Sequence, residues 1–216
     1  MRVLCDFDGT ISVLDSTDHV LARLGRPGWE ALEADWLRGR ITAAECMRGQ
    51  IALVGGSDRE LEAVLDEIGI DPGFAGFADW CAANAIPLGV VSDGVDGFIR
   101  RILARHGLEH LPVVSNRLAG RAGARRLEQP YRRPACGSGV CKCAVAQGDS
   151  RPVRLVYVGD GRSDFCVSAQ ADILFAKGDL AAQARGRGQA HHVFRTFHDV
   201  ATTLDALVMN GRAVAS

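Results

Sequence analysis

The sequence predicts an α/β protein: a parallel sheet covered by helices on both faces, with a small all-helical segment inserted after the first strand. Three observations carry this. A short apolar run at 2–6 reads as a buried strand and stops abruptly in Asp6-Phe7-Asp8-Gly9-Thr10. Residues 14–73 then show helical periodicity, punctuated by glycines and Pro27, with no convincing strand. From about residue 73 onward, short apolar runs alternate with helix-period segments, the pattern of strands joined by helical crossovers.

Taken in order, the inserted segment holds four expected helices, at 16–24, 29–38, 42–53 and 58–68. Ser57 is placed to cap the last, with Glu60 three residues on as in a capping box. A helix over 74–84 leads through Pro87 to a strand at 88–92, and a helix over 95–106 leads to a strand at 112–117. Residues 119–138, rich in Arg, Gly and Pro, are expected to be irregular. There follow a helix at 139–147, a strand at 153–158, a helix at 163–171 and a strand at 173–176. A helix at 180–186, a short strand at 192–194 and a helix at 198–209 close the chain. The expected organisation is a core of residues 1–13 and 74–216 and a cap of residues 14–73.

A length of 216 residues suits one domain with a modest insertion, and 47% hydrophobic residues suffice for a core. The net charge of −1 gives no global field to recruit nucleic acid or an anionic membrane. No apolar run approaches the roughly 20 residues needed to span a bilayer. The N-terminus becomes acidic at Asp6, too soon for a signal peptide. A cytoplasmic monomer or homodimer is expected. The seven cysteines, at 5, 46, 81, 136, 141, 143 and 166, are expected to be reduced there.

In an open parallel sheet, ligands bind at the carboxyl ends of the strands. Three expected strands end in polar residues: Asp6 and Asp8, then Ser92-Asp93-Gly94, then Gly159-Asp160-Gly161-Arg162-Ser163-Asp164. Four carboxylates gathered on one rim stay ionised together only with positive charge beside them. A hard divalent cation with oxygen ligands, Mg²⁺, answers that need, and Lys142 is a second source. Lys142 falls in the first turn of its expected helix, where the helix dipole disfavours a cation unless an anion is near.

Asp6-Phe7-Asp8-Gly9-Thr10, Ser92, Lys142 and Gly159-Asp160-(three residues)-Asp164, in this order and strand context, resemble the four-motif signature of haloacid dehalogenase (HAD) superfamily phosphatases. The resemblance implies a Rossmann-like core with a small helical cap, as in the phosphoserine phosphatase-like branch. It implies Asp6 as nucleophile and metal ligand. Asp8 would be general acid and then base, its carbonyl on the metal. Ser92, Asp93, Gly94 and Lys142 would hold the phosphoryl group. Asp160 would be a metal ligand, and Asp164 a ligand or an outer-shell acceptor. The substrate would be a small phosphorylated metabolite. The physics agrees: a carboxylate and a phosphate dianion repel, and Mg²⁺ with Lys142 offsets that charge. Dehalogenases lack an acid two residues after the nucleophile, and transport ATPases carry Thr there.

The cap is expected to set substrate choice, with Asp15, Arg48 and Gln50 as candidate contacts. In phosphoserine phosphatases a Glu in the position of Asp15 holds the substrate amine. An Arg in the position aligned with Gln50 holds its carboxylate. Asp15 is shorter and Gln50 is uncharged, and Arg48 lies two residues away on another helix face. The Trp29 region, Val91-Ser92-Asp93-Gly94, the 136–142 stretch and Ile173-Leu174-Phe175-Ala176-Lys177-Gly178-Asp179-Leu180 resemble instead the methionine-salvage enolase-phosphate phosphatase. Two other readings stay open. One is a non-catalytic phosphate or metal receptor on the same scaffold. The other is a zinc or redox role for Cys136, Cys141 and Cys143, against which stands the lack of a partner pair at finger spacing. The arginines at 117, 121, 125, 126, 132 and 133 read as a solvated loop.

Overall fold

A computed structural model of the protein describes residues 1–148 and 153–213. Its seven-stranded sheet is built from β1 (Arg2–Cys5), β2 (Leu88–Val95), β3 (Val113–Ala119), β4 (Arg126–Glu128), β5 (Leu155–Gly159), β6 (Ile173–Ala176) and β7 (His192–Val193), in the spatial order β4-β3-β2-β1-β5-β6-β7. All neighbours are parallel except the β3–β4 pair. Between β1 and β2 lie α1 (Ser16–Leu24), α2 (Trp29–Leu37), α3 (Ala43–Ala52), α4 (Asp58–Leu65) and α5 (Phe74–Ala83). The remaining helices are α6 (Asp96–Ala104), α7 (Lys142–Gln147), α8 (Phe165–Ser168), α9 (Gly178–Gly186) and α10 (Phe197–Ala213). The expected parallel sheet and helical insertion are therefore present. Residues 149–152 and 214–216 of the expected core lie outside the described residues.

Alternation along the strands fills both faces of the sheet. Val3 and Cys5 of β1 and Val156 and Val158 of β5 enter a large core under α5, α6 and α10. Leu4, Tyr157 and Leu174 enter a smaller one on the opposite face with Val140 and Leu180. Phe74 of α5 meets Phe197 of α10 edge to face, with ring centroids 4.8 Å apart, and each such buried ring contributes about 1.5–3 kcal/mol. The capping box of Ser57 with Glu60 forms as its spacing implies, and Thr42 with Glu45 makes a second.

Several boundaries differ from expectation, for identifiable reasons. Strand β2 runs on through Ser92, Asp93 and Gly94, because pairing with β3 resumes at Val95 and Asn116 after an irregularity. The stretch expected to be irregular contains β4, an antiparallel partner of β3, after a turn with Gly120 and Gly123 at positive φ. Arg125 is not solvated: it is 4% exposed, donates to the carbonyls of Val54, Gly55 and Gly56, and meets Asp58 at 2.8 Å. It fastens the loop between α3 and α4 to the β3–β4 hairpin. The helix expected at 139–147 begins at Lys142, and the one at 163–171 divides into a 3-10 turn at Arg162–Asp164 and α8.

Candidate active site

Strand β1 sits where the strand order reverses, between β2 and β5, the position at which open α/β sheets bind ligands. The chain leaves β1 at Cys5, so Asp6 and Asp8 are no longer constrained to one face. Asp6 is 5% exposed; its Oδ1 accepts the Phe7 N–H at 2.8 Å and lies 2.7 Å from Lys142 Nζ. Asp8 turns the other way: its Oδ1 accepts the Ser16 N–H at 2.8 Å, and Ser92 Oγ approaches its Oδ2 at 3.5 Å. Gly9, at φ 71°, makes the turn that follows Asp8, and a Cβ there would come within 2.6 Å of Asp160 Oδ2. Gly94 is equally confined, since a Cβ would lie 2.4 Å from Asp8 Oδ2.

The loop after β5 closes the arrangement. Lys142 Nζ also bonds Asp164 Oδ1 at 2.6 Å and Ser163 Oγ at 2.9 Å. Asp164 Oδ1 accepts the Tyr157 hydroxyl at 2.5 Å, and its Oδ2 accepts the N–H groups of Asp160 and Gly161. Asp160 Oδ1 accepts from Thr10 Oγ1 at 2.6 Å. Oxygens of Asp6, Asp160 and Asp164 lie within 4.8 Å of one another. The second oxygens of Asp6 and Asp160 have no protein hydrogen bond among the described residues, whereas both oxygens of Asp164 are taken. The donor set is hard and anionic and fits a divalent cation such as Mg²⁺.

Electrostatics follow from crowding. Burial pushes the Asp6 carboxyl up, Asp164 adds to this, and Lys142 opposes it. Burial, then Asp164, also raises Asp160, against the Thr10 hydrogen bond. Asp8 is pushed up to about 7 by burial and then by Asp15. Burial works against the charge on Lys142, but Asp164 and Asp6 outweigh it and raise its pKa. The site therefore lacks positive charge for the carboxylates it holds.

A cavity of about 810 Å³ opens from Asp6, Asp8, Ser92 and Asp160 towards α1, α2 and α3. Asp15, the N-cap of α1, and Gln50 line it. Gln50 is 3% exposed and donates to Glu33 Oε2 at 3.0 Å. Arg48 does not line the cavity: it is exposed on α3, because two residues along a helix turn the side chain to another face. Asp93 lines the cavity, but its Oδ1 accepts from Val140 N–H and Asn116 Nδ2, tying β2 to the lead into α7. Cys136, Cys141 and Cys143 gather with Cys166 around a separate pocket of about 410 Å³. All seven thiols are unbridged, and among the described residues these four form no metal-ready group. Sequence reasoning missed Tyr157, hidden in an apolar strand, and Glu33, Trp36, Thr17 and Asp18, which also line the cavity.

Fold and site together define a hydrolase with an aspartate-centred, metal-ready pocket at the tip of a parallel sheet. A family described as haloacid dehalogenase-like hydrolase matches residues 3–168, and the chain belongs to that family. Within it the chain falls with the phosphatases. It is 30% identical over 207 residues to a 2-hydroxy-3-keto-5-methylthiopentenyl-1-phosphate phosphatase of Brevibacillus brevis, covering 92% of each chain. A polyol phosphate phosphatase of Saccharomyces cerevisiae is 26% identical, over 99% of this chain and 96% of its own length. Among solved structures, a substrate-bound phosphoserine phosphatase superposes with a TM-score of 0.67 at 19% identity, over 94% of this chain and 97% of its own, which concerns the fold.

Proposed function

We propose that this chain is a Mg²⁺-dependent phosphatase that hydrolyses a small phosphomonoester through a phospho-aspartate on Asp6. The carrying observation is the buried contact of Asp6 with Lys142 beside the free oxygens of Asp6 and Asp160. When bound, Mg²⁺ would be held by Asp6, Asp160 and the Asp8 carbonyl and would neutralise phosphoryl charge. Asp6 attacks phosphorus, and Lys142 keeps the approaching anions from repelling one another. Asp8, with a pKa near 7, gives its proton to the departing alkoxide and then takes one from the water that opens the acyl phosphate. Ser92 Oγ and the N–H groups around Gly94 hold the phosphoryl oxygens. Asp164, its oxygens already spent, positions Lys142 and the Asp160 loop rather than ligating the metal.

Residues 14–73 act as a cap domain over this site, and the cavity between cap and core selects the substrate. Phosphoserine is the weaker of the two leading substrates. Arg48 points away, Gln50 is engaged with Glu33, and among the described residues Arg162 is the one basic side chain lining the cavity. A carboxylate would enter among carboxylates. A phosphomonoester without a carboxylate, as in the compound named for the bacterial relatives, suits the cavity better. Purified protein supplied with Mg²⁺ should release phosphate from an aryl phosphate, lose that activity to a chelator, and lose at least about 10³-fold in Asp6→Asn. Wild-type turnover by Asp6→Asn would overturn the assignment.

A further inference from the structure

Four thiols beside the active-site cavity have no part in the reaction described above. Cys136, Cys141, Cys143 and Cys166 all line the pocket of about 410 Å³. Cys141 is the N-cap of α7, Cys143 lies in its first turn, and Cys166 lies in α8. Helix α7 packs directly on α8, and the thiols neighbour one another in pairs. Burial, and then the adjoining Cys166 thiol, pushes the Cys143 thiol up to about 12. Burial likewise raises Cys136, and the Cys141 thiol adds to it. All four are at least partly open to solvent, Cys166 the most, whereas Cys5, Cys46 and Cys81 are buried.

Access and a neighbouring thiol are what thiol–disulfide exchange requires. Arg133 and Arg162 line the same pocket, and neither makes a salt bridge among the described residues. Their charge is available to an anionic reagent. A metal is the poorer occupant, because among the described residues no three of these sulfurs lie within 4.8 Å of one another. The pocket also shares a wall with the active-site cavity: Gly137, Ser138, Arg162 and Ser163 line both. Cys143 directly follows Lys142, and Cys166 stands two residues after Asp164. Lys142 Nζ bonds Ser163 Oγ and Asp164 Oδ1, so a shift of α7 against α8 moves the ammonium against its partners.

We propose that Cys143 and Cys166 are a redox-modification site, which exchange with a carboxylate-bearing low-molecular-weight disulfide converts reversibly to a disulfide that lowers turnover next door. The Cys166 sulfur attacks one sulfur of the reagent; a mixed disulfide forms and one reagent thiol departs. The Cys143 sulfur then attacks Cys166, and the second reagent thiol departs. The protein gives up two electrons and two protons, and the reagent takes them as it is reduced to two thiols. The new bond brings the sulfurs to about 2.05 Å and draws α7 towards α8, which moves Lys142 relative to Asp6. Formation of the bond is independent of the phosphatase reading, and its effect on turnover rests on that reading.

The test equilibrates the full chain with oxidised and reduced glutathione at graded ratios, quenches with an alkylating agent and maps the thiols by peptide mass spectrometry. Turnover of an aryl phosphate with Mg²⁺ is measured on the same samples. A Cys143–Cys166 link should form and be reversed by dithiothreitol, while Cys5, Cys46 and Cys81 stay reduced. The fall in kcat should follow the linked fraction and reach about tenfold or more. Cys166→Ser should keep the turnover of the reduced parent and lose its response to glutathione. Absence of the link at every ratio, a link that leaves kcat unchanged, or an equal fall in Cys166→Ser overturns the proposal. In a preparation that hydrolyses no ester the phosphatase reading fails separately. The link is then read beside the thermal stabilisation given by Mg²⁺, which oxidation should change; a missing link or an unchanged stabilisation overturns the proposal.

Discussion

Lys142 Nζ lies 2.7 Å from Asp6 Oδ1, and the two side chains are only 1% and 7% exposed. The same ammonium is shared with Asp164 at 2.6 Å, so one cation stands between two carboxylates inside the protein. Lys142→Met keeps the length and removes the charge, leaving both acids unpaired. We expect a loss of about 3–5 kcal/mol and no measurable turnover. Thermal denaturation checks the first, and part of the loss should return on adding Mg²⁺, which supplies charge to the same carboxylates. A variant as stable as the parent without metal would show that the pair is not the neutralising contact described.

Tyr157 donates to the Asp164 oxygen that Lys142 also uses. In Tyr157→Phe the carboxylate keeps Lys142 and two backbone N–H groups, so the penalty should be mild, about 1–2 kcal/mol. Lys142 loses part of its orientation rather than its charge. A fall of a few-fold in kcat with KM unchanged is the expected kinetic result, and a change confined to KM would place Tyr157 in substrate binding instead.

The parts of this site that are legible in sequence are those where a polar residue interrupts an apolar run. Asp6 directly follows a buried strand, and Asp160 and Asp164 follow another, so position and chemistry coincide. Tyr157 gives no such signal, because one hydroxyl within Leu155-Val156-Tyr157-Val158 reads as core until Asp164 folds back onto it. Arg125 sits among five other arginines, and only the tertiary arrangement brings the carbonyls of Val54, Gly55 and Gly56 to it. The irregularity in β2 that includes Ser92 depends on pairing with β3, which single-strand patterning does not contain. Glu33 and Trp36 belong to a helix with apolar residues on several sides, so the cavity-facing side is set by contact with α3 rather than by periodicity.

Asp8 has two roles in the proposed reaction, and leaving-group chemistry separates them. Asp8→Asn cannot protonate an alkoxide, so turnover of alkyl phosphates should fall by about 10²–10⁴-fold. A phenolate leaves without a proton, so an aryl phosphate should still transfer its phosphoryl group to Asp6. The second step then lacks its base. Stopped-flow measurement should show a burst of about one phenolate per site followed by slow release. Equal loss on both substrate types with no burst would move the acid–base role to another residue.

The helical insertion between β1 and β2 is tied to α6 by a surface contact whose strength should follow pH. Arg101 of α6 reaches Asp66, just after α4, with Nε at 2.9 Å and Nη2 at 2.7 Å. The guanidinium, more than the slight burial that opposes it, holds the Asp66 carboxyl below its usual range. A carboxylate with a depressed folded-state pKa contributes its stability above the unfolded value, near 3.9, and loses it as pH falls through the folded value. Both side chains are about one third exposed, so solvent limits the pair to about 1 kcal/mol. Arg101→Ala should therefore lower stability at neutral pH by that amount and by almost nothing once the medium is acid enough to protonate Asp66 in both states. Urea unfolding of the two single variants and the double variant across that range isolates the coupling. A coupling that persists after Asp66 is protonated would mean that Arg101 acts through Glu62, 3.2 Å away, or through packing.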